Sequence, residues 1–139
     1  MSSHCNCSYL LYNRTKTVHV RRELGAVMYA ANVLGSRGPR KMQVAIPSVD
    51  ENDRMITWPN GGQDDILTRM KDRNFRDLVY LINKPPRWNE QVGAYVLNFN
   101  GRVTMASVKN FQLVDPDEQN TVVLQVRRSI GLVIFFGLL

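Results

Sequence analysis

The residues of this chain best suited to chemistry are cations in a segment rich in glycine and proline. In "NVLGSRGPRKMQVAIP", residues 32–47, the side chains of Arg37, Arg40 and Lys41 crowd around a Gly-Ser-Arg-Gly-Pro turn. A turn needs its glycines, but it does not need three positive charges. Guanidinium and ammonium groups bind phosphate and carboxylate oxygens. The segment therefore predicts contact with an anionic partner.

The positive charge of the chain is concentrated in its first third. The net charge is +6, and residues 48–139 contribute nothing to it because their cations and acids are equal in number. Residues 1–47 contain Glu23 as their only acid. The cations of this part are Arg14, Lys16, Arg21, Arg22, Arg37, Arg40 and Lys41. Such a basic block favours nucleic acid or an anionic lipid surface as partner. A solvated basic face without a partner is the alternative.

The sequence contains none of the common catalytic motifs, neither a nucleophile elbow, nor a phosphate loop, nor a dinucleotide fingerprint. His4, Cys5, Cys7 and His19 match no common zinc spacing. The two cysteines form no disulfide framework, which favours a reducing compartment. We therefore predict a protein that is not an enzyme and has no metal or other cofactor.

The elements that must position the cations are short and mostly β. With 139 residues the chain is long enough for one domain. The apolar run Leu24–Leu34 is compatible with a buried helix or a buried strand. Alternation over Lys41–Pro47 predicts a strand, and the charge pattern of Asp64–Arg73 predicts one short helix.

From Phe75 onward the pattern is that of β-strands. "RDLVYLIN" predicts a strand that "KPPRW" ends, and "AYVLNF" and "RVTMA" predict a hairpin around Asn100-Gly101. "VKNFQLV" and "TVVLQV" predict two more strands. Short strands at this spacing indicate an antiparallel sheet curling toward a barrel. The apolar end "SIGLVIFFGLL" is too short to span a bilayer, so we expect no transmembrane segment.

Four strings occur together in order: "RREL", "NVLGSRGPRKM", "NKPPRWNEQVGAYVLNFNGRVTMASVKNFQLV" and "VVLQ". Over Arg21 to Gln125 the chain resembles the tubby C-terminal domain, the domain of tubby and tubby-like proteins. The resemblance implies an antiparallel β-barrel threaded by an apolar C-terminal helix, and it decides in favour of a strand over Leu24–Tyr29. It also implies binding of phosphatidylinositol 4,5-bisphosphate at the inner face of the membrane, and carriage of membrane cargo into cilia.

The family's lipid site uses the arginine that begins its Arg-x-Glu-Leu string, which matches Arg21 here. The family's Lys-x-Arg pair has no counterpart upstream of Arg21. We expect Arg22, Arg40 and Lys41 to add attraction to an anionic leaflet. Arg40 paired with a carboxylate of the barrel is the alternative. The resemblance implies a cytoplasmic protein peripheral to the plasma membrane or cilium, with trafficking proteins or membrane cargo as partners.

At both ends the chain departs from the family. We expect residues 1–20 to be a non-matching, disordered tail, 21–125 to be a partial tubby domain, and 126–139 to be a non-matching apolar tail. The fold expected is thus mainly β, a partial tubby-type barrel without the central helix, and at best marginally stable as a fragment. A nucleic-acid-binding or transcription-linked protein in the nucleus, and a truncated gene product without a function of its own, stay open as alternatives.

Overall fold

The computed structural model describes residues 5–13, 22–30, 41–59, 64–105, 107, 109–129 and 132–137, which contain ten strands and one helix. The strands are β1 (Cys5–Asn13), β2 (Arg22–Ala30), β3 (Lys41–Pro47), β4 (Trp58–Pro59), β5 (Leu78–Asn83), β6 (Arg87–Asn89), β7 (Ala94–Val96), β8 (Phe111–Val114), β9 (Val122–Ser129) and β10 (Leu132–Gly137). Helix α1 covers Ile66–Lys71. The chain divides into two compact units, Met1–Leu81 and Ile82–Leu139.

The first unit is an antiparallel sheet in which β2 is the central strand. One edge of β2 pairs with β1, and Ala26–Ala30 pair with β3 on the other. Arg22 and Glu23 pair instead with β4. Pairing on both edges makes β2 a strand although its alanines, leucine and methionine favour a helix by propensity. The strand expected over Leu24–Tyr29 is confirmed.

Gly25 lies where β2 changes partner from β4 to β3. A Cβ atom at this position would come within 2.9 Å of the Ala45 carbonyl oxygen and 3.1 Å of Cγ2 of Ile46. On the other edge of β2, the pairing with β1 has a register irregularity between Leu11 and Tyr12. A glycine is therefore required here for the close approach of β3.

The core of the first unit lies between this sheet and α1. Its buried side chains are Ala26, Met28, Ala45, Trp58, Ile66, Met70 and Leu78. Phe75 and Tyr80 pack against them with their rings stacked, 3.9 Å between centroids. Burial of these apolar groups holds the one described helix on the sheet.

Both ends of α1 are capped by local hydrogen bonds. The Asp65 side chain accepts the Thr68 backbone N–H at 2.6 Å and so forms the N-cap. At the other end the backbone N–H of Arg73 donates to the Met70 carbonyl and that of Asn74 to the Arg69 carbonyl. This is a Schellman motif, and Arg73 takes the left-handed conformation, with φ of 56°, that glycine usually supplies. The helix predicted in Asp64–Arg73 is confirmed.

The second unit contains a sheet and a separate hairpin. Ile82 and Asn83 of β5 pair with β8, β8 pairs with β9, and β9 pairs with β10, all antiparallel. Strands β6 and β7 pair only with each other among the described strands. The mainly β, antiparallel fold with one short helix is confirmed for the described residues. In neither unit do the described pairings close a sheet into a barrel.

The turn expected at Asn100-Gly101 is present, but the strands expected around it form only in part. The strand expected over AYVLNF is reduced to β7, which pairs with β6, and RVTMA forms no strand. Asn100 and Gly101 have positive φ, 51° and 72°, and Arg102 N–H donates to the Phe99 carbonyl at 3.0 Å. Residues 97–105 nevertheless form no strand. The Asn98 side chain accepts the Asn100 N–H, and the Asn98 carbonyl accepts a side-chain hydrogen bond from Gln112. Side chains thus take up polar groups that a second strand would have used.

Strands also lie within the two end segments, residues 1–20 and 126–139. Cys5–Asn13, inside the segment expected to be disordered, forms β1 against β2. Residues 126–129 continue β9, and Leu132–Gly137 form β10. Strand β10, LVIFFG, is rich in β-branched and aromatic residues, which favour strands. Within the described ranges, no helix has the length and apolar character needed to cross a bilayer.

Candidate functional site

Arg22 is the described member of the basic pair that begins the "RREL" string. It is the first residue of β2 and pairs in register with Asn13 of β1 and Pro59 of β4. Its side chain is exposed, and it makes no salt bridge with any described residue. Arg21, the predicted phosphate ligand, lies outside the described residues.

Glu23, the next residue, joins this end of β2 to the helix. Its side chain is only 2% exposed, and one carboxylate oxygen, Oε2, accepts the backbone N–H of Ile66 at 2.8 Å. Burial raises the pKa of the Glu23 carboxyl, and the hydrogen bond from Ile66 opposes that rise. The first turn of α1 is thereby held beside the start of β2.

Arg69 of α1 is already paired with a carboxylate. The Arg69 guanidinium donates two hydrogen bonds of 2.6 Å to the Asp64 carboxylate and lies 4.5 Å above the Trp58 ring. The hydrogen bonds from Arg69 hold the pKa of the Asp64 carboxyl below its ordinary value. An arginine engaged in this way is a structural group and is poorly suited to bind an external anion.

Lys41 is the described member of the second basic pair. It is the first residue of β3, its side chain is exposed, and it pairs in register with Ala30, the last residue of β2. Arg22 and Ala30 are eight positions apart in β2, which corresponds to about 25 Å of strand. Arg40 lies outside the described residues. The structure therefore does not bring Arg22 and Lys41 together, and one small headgroup cannot contact both.

Sequence reasoning missed a polar cavity in the second unit. The cavity has a volume of about 270 Å³, and Lys84 and Arg87 lie in its wall together with four carboxamide side chains. The sequence signal is the pair of cations around the prolines of "NKPPRW", which predicted only the end of a strand. No group of three or more His, Cys, Asp or Glu residues suited to a metal ion occurs among the residues described.

Comparison with known proteins agrees with the resemblance in the sequence. The model of the Tub family matches residues 2–131. The chain is 52% identical to Tubby-related protein 2 of Mus musculus over 113 residues, 81% of this chain and 20% of that protein. It is 49% identical to Tubby-related protein 1 of Homo sapiens over 115 residues, 82% of this chain and 21% of that protein. Protein king tubby 2 of Aedes aegypti is 44% identical over 110 residues, 78% of this chain and 27% of that protein.

These relatives are much longer than the stretch that they share with the chain. The chain spans about a fifth of the length of the first two. The family match begins before Arg21 and ends after Gln125, and it includes residues 2–20 and 126–131. Because the family model covers nearly the whole sequence at this level of identity to its members, the chain belongs to the Tub family.

Proposed function

We propose that this chain is a non-catalytic, membrane-targeting module that binds phosphatidylinositol 4,5-bisphosphate through Arg21. The observation that carries the proposal is that the whole net charge lies in residues 1–47 and that the two described predicted site residues, Arg22 and Lys41, are exposed and without salt bridges to described residues. Cations left unpaired at a surface attract an anionic leaflet.

Because Arg22 and Lys41 lie far apart, we assign headgroup binding and general attraction to the leaflet to different residues. Arg21 is proposed as the headgroup ligand because a guanidinium binds phosphate oxygens through two parallel hydrogen bonds. Arg22 would add attraction to the anionic leaflet. Lys41, about 25 Å of strand away, would act on the surrounding leaflet together with Arg40. The specific contact is thus proposed for Arg21 and the general attraction for the other three cations.

The magnitudes require this division. A contact between an arginine and a charged group contributes about 1.5–3 kcal/mol. Micromolar binding corresponds to about 8 kcal/mol. Arg21 alone is insufficient, and further cations near the membrane surface add about 1 kcal/mol each.

The proposed cellular location is the cytoplasmic face of the plasma membrane or cilium, with membrane cargo or trafficking proteins as partners.

The test compares vesicles containing phosphatidylinositol 4,5-bisphosphate with phosphatidylserine vesicles of equal total charge. Arg21→Ala should weaken binding to the first by about tenfold or more and binding to the second much less. Lys41→Ala should weaken both by about the same factor. Arg54→Ala, which removes an exposed cation outside the basic block, is the matched control.

Equal losses for Arg21→Ala on both vesicles would exclude a specific headgroup site. Binding to duplex DNA that falls steeply with salt, without preference between the two vesicles, would favour the nucleic-acid-binding alternative.

A further inference from the structure

The cavity in the second unit has the charge and the donors of an anion site. Its polar wall consists of Lys84, Arg87, Asn98, Asn100, Gln112 and Asn120, and its remaining wall is apolar. No carboxylate lines it, so the wall carries two positive charges and no negative one. A volume of about 270 Å³ is just below the range of about 300–1,000 Å³ that is typical of ligand pockets, and it suits one small polar group.

The two cations keep most of their donors available. Arg87 uses one Nη2 hydrogen bond, of 2.9 Å, to the Asn120 side-chain oxygen. Neither Arg87 nor Lys84 forms a salt bridge within the described part of the chain. A guanidinium has five N–H donors and an ammonium has three. Each cation therefore has donors left for an anion in the cavity, and no carboxylate of a described wall residue competes for them.

Hydrogen bonds fix three segments of the chain around the cavity. The backbone N–H of Lys84 donates to the Gln112 carbonyl at 2.7 Å. The Gln112 side chain is only 1% exposed, and its amide donates to the Asn98 carbonyl at 3.1 Å and to the Gln125 side-chain oxygen at 3.0 Å. These bonds hold the Lys84 and Asn98 backbone and the Gln112 side chain in place before any ligand arrives, which lowers the entropic cost of binding.

We propose that this cavity binds the phosphate group of a phosphomonoester. Such a group carries a charge of about −1.5 to −2 at neutral pH, which matches the two cations, whereas a carboxylate would leave one cation uncompensated. Its oxygens also accept hydrogen bonds from the carboxamide N–H groups of the wall. The site lies wholly within the second unit and does not depend on Arg21 or the basic block.

Phosphomonoester groups occur both in soluble metabolites and in lipid headgroups, so the experiment tests one probe of each kind. Glycerol 3-phosphate is titrated into the 139-residue chain by calorimetry, with glycerol as the control ligand. Vesicles of phosphatidylcholine containing phosphatidic acid, whose headgroup is a phosphomonoester, are compared with phosphatidylserine vesicles of equal charge. The variants are Lys84→Gln, Arg87→Gln and both together, and Lys109→Gln is the control because it removes an exposed cation of the same unit outside the cavity wall.

Each of the single variants should weaken phosphomonoester binding by about tenfold or more, and the Lys109→Gln chain should bind like the wild type. Saturable binding of glycerol 3-phosphate identifies a soluble ligand. Binding to phosphatidic acid vesicles alone, again lost in the double variant, identifies a lipid.

Failure of the wild-type chain to bind either probe would overturn the proposal, as would equal weakening by Lys109→Gln. Shifts of the side-chain amide resonances of Asn98 and Asn120 in the wild-type chain give a second readout that needs no variant. Phosphomonoester binding that is lost in Arg21→Ala but kept in the Lys84→Gln and Arg87→Gln double variant would belong to the headgroup site and would also overturn the proposal.

Discussion

Replacement of Glu23 tests how the start of β2 is tied to the helix. Glu23→Leu removes the acceptor of the 2.8 Å hydrogen bond and leaves the buried Ile66 N–H without a partner. An unsatisfied buried donor costs about 1–3 kcal/mol. Glu23→Gln keeps an oxygen acceptor in nearly the same shape and removes the charge. We therefore expect the Leu variant to be destabilised by about 1–3 kcal/mol and the Gln variant to stay within about 1 kcal/mol of the wild type.

The pH dependence of this difference follows from the sign of the pKa shift. Burial raises the pKa of Glu23 in the folded state, so the folded state favours the protonated carboxyl. Stability gained from protonation is complete below the ordinary pKa and is lost as the pH rises through the raised one. The wild type should therefore gain stability relative to Glu23→Gln as the pH falls from about 7.5 to about 5.

Thermal unfolding of the three chains, followed by near-ultraviolet circular dichroism of the buried Trp58, measures both effects. A loss of 1–3 kcal/mol corresponds to a decrease in Tm of roughly 4–12 °C for a chain of this size. A Leu variant as stable as the wild type would show that the Ile66 hydrogen bond contributes nothing. A wild type that loses stability relative to the Gln variant on acidification would show that the carboxyl is not held in its raised-pKa environment.

Two further predictions concern backbone positions. Gly25→Ala places a methyl group 2.9 Å from the Ala45 carbonyl oxygen, and we expect urea unfolding to show a loss of about 1–3 kcal/mol, whereas an unchanged midpoint would mean that β3 can move away at no cost. Arg73→Gly puts a glycine at the left-handed C-terminal position of α1, where we expect a gain of about 0.5–1 kcal/mol in the same assay; a loss would mean that the Arg73 side chain itself stabilises this turn.

The strands and the helix were predictable where one local pattern decided the structure. Alternation over Lys41–Pro47 gave β3, and the charges of Asp64–Arg73 gave α1 nearly at its observed ends. Strand β2 was not predictable from propensity, since pairing with β1 and β3 overrides its helical composition. Strand β6 was missed because its first residues lie in KPPRW, which predicted a break, and β7 pairs with β6 instead of with a strand after Asn100-Gly101.

The candidate sites depend on distances that no local pattern contains. The sequence placed Arg22 and Lys41 in one basic block, but the register of β2 and β3 puts them at opposite ends of a strand. Glu23 and Ile66 meet across 43 residues of chain. Likewise, Lys84 and Gln112 share a cavity only because β5 pairs with β8. Such long-range contacts depend on the register of the strands. That register is set by the packing of the whole sheet and cannot be read from one segment of the sequence.

Strand β10 has a consequence for the behaviour of the chain in concentrated solution. It pairs with β9 and with no other described strand, so among the described residues its second edge has no strand that takes up its backbone N–H and C=O groups. Its sequence, LVIFFG, contains no charge and no proline. An edge of this kind is a template for pairing with the same edge of another molecule, and such segments stack into cross-β assemblies. The concentration at which this chain can be handled should therefore be limited by aggregation through β10.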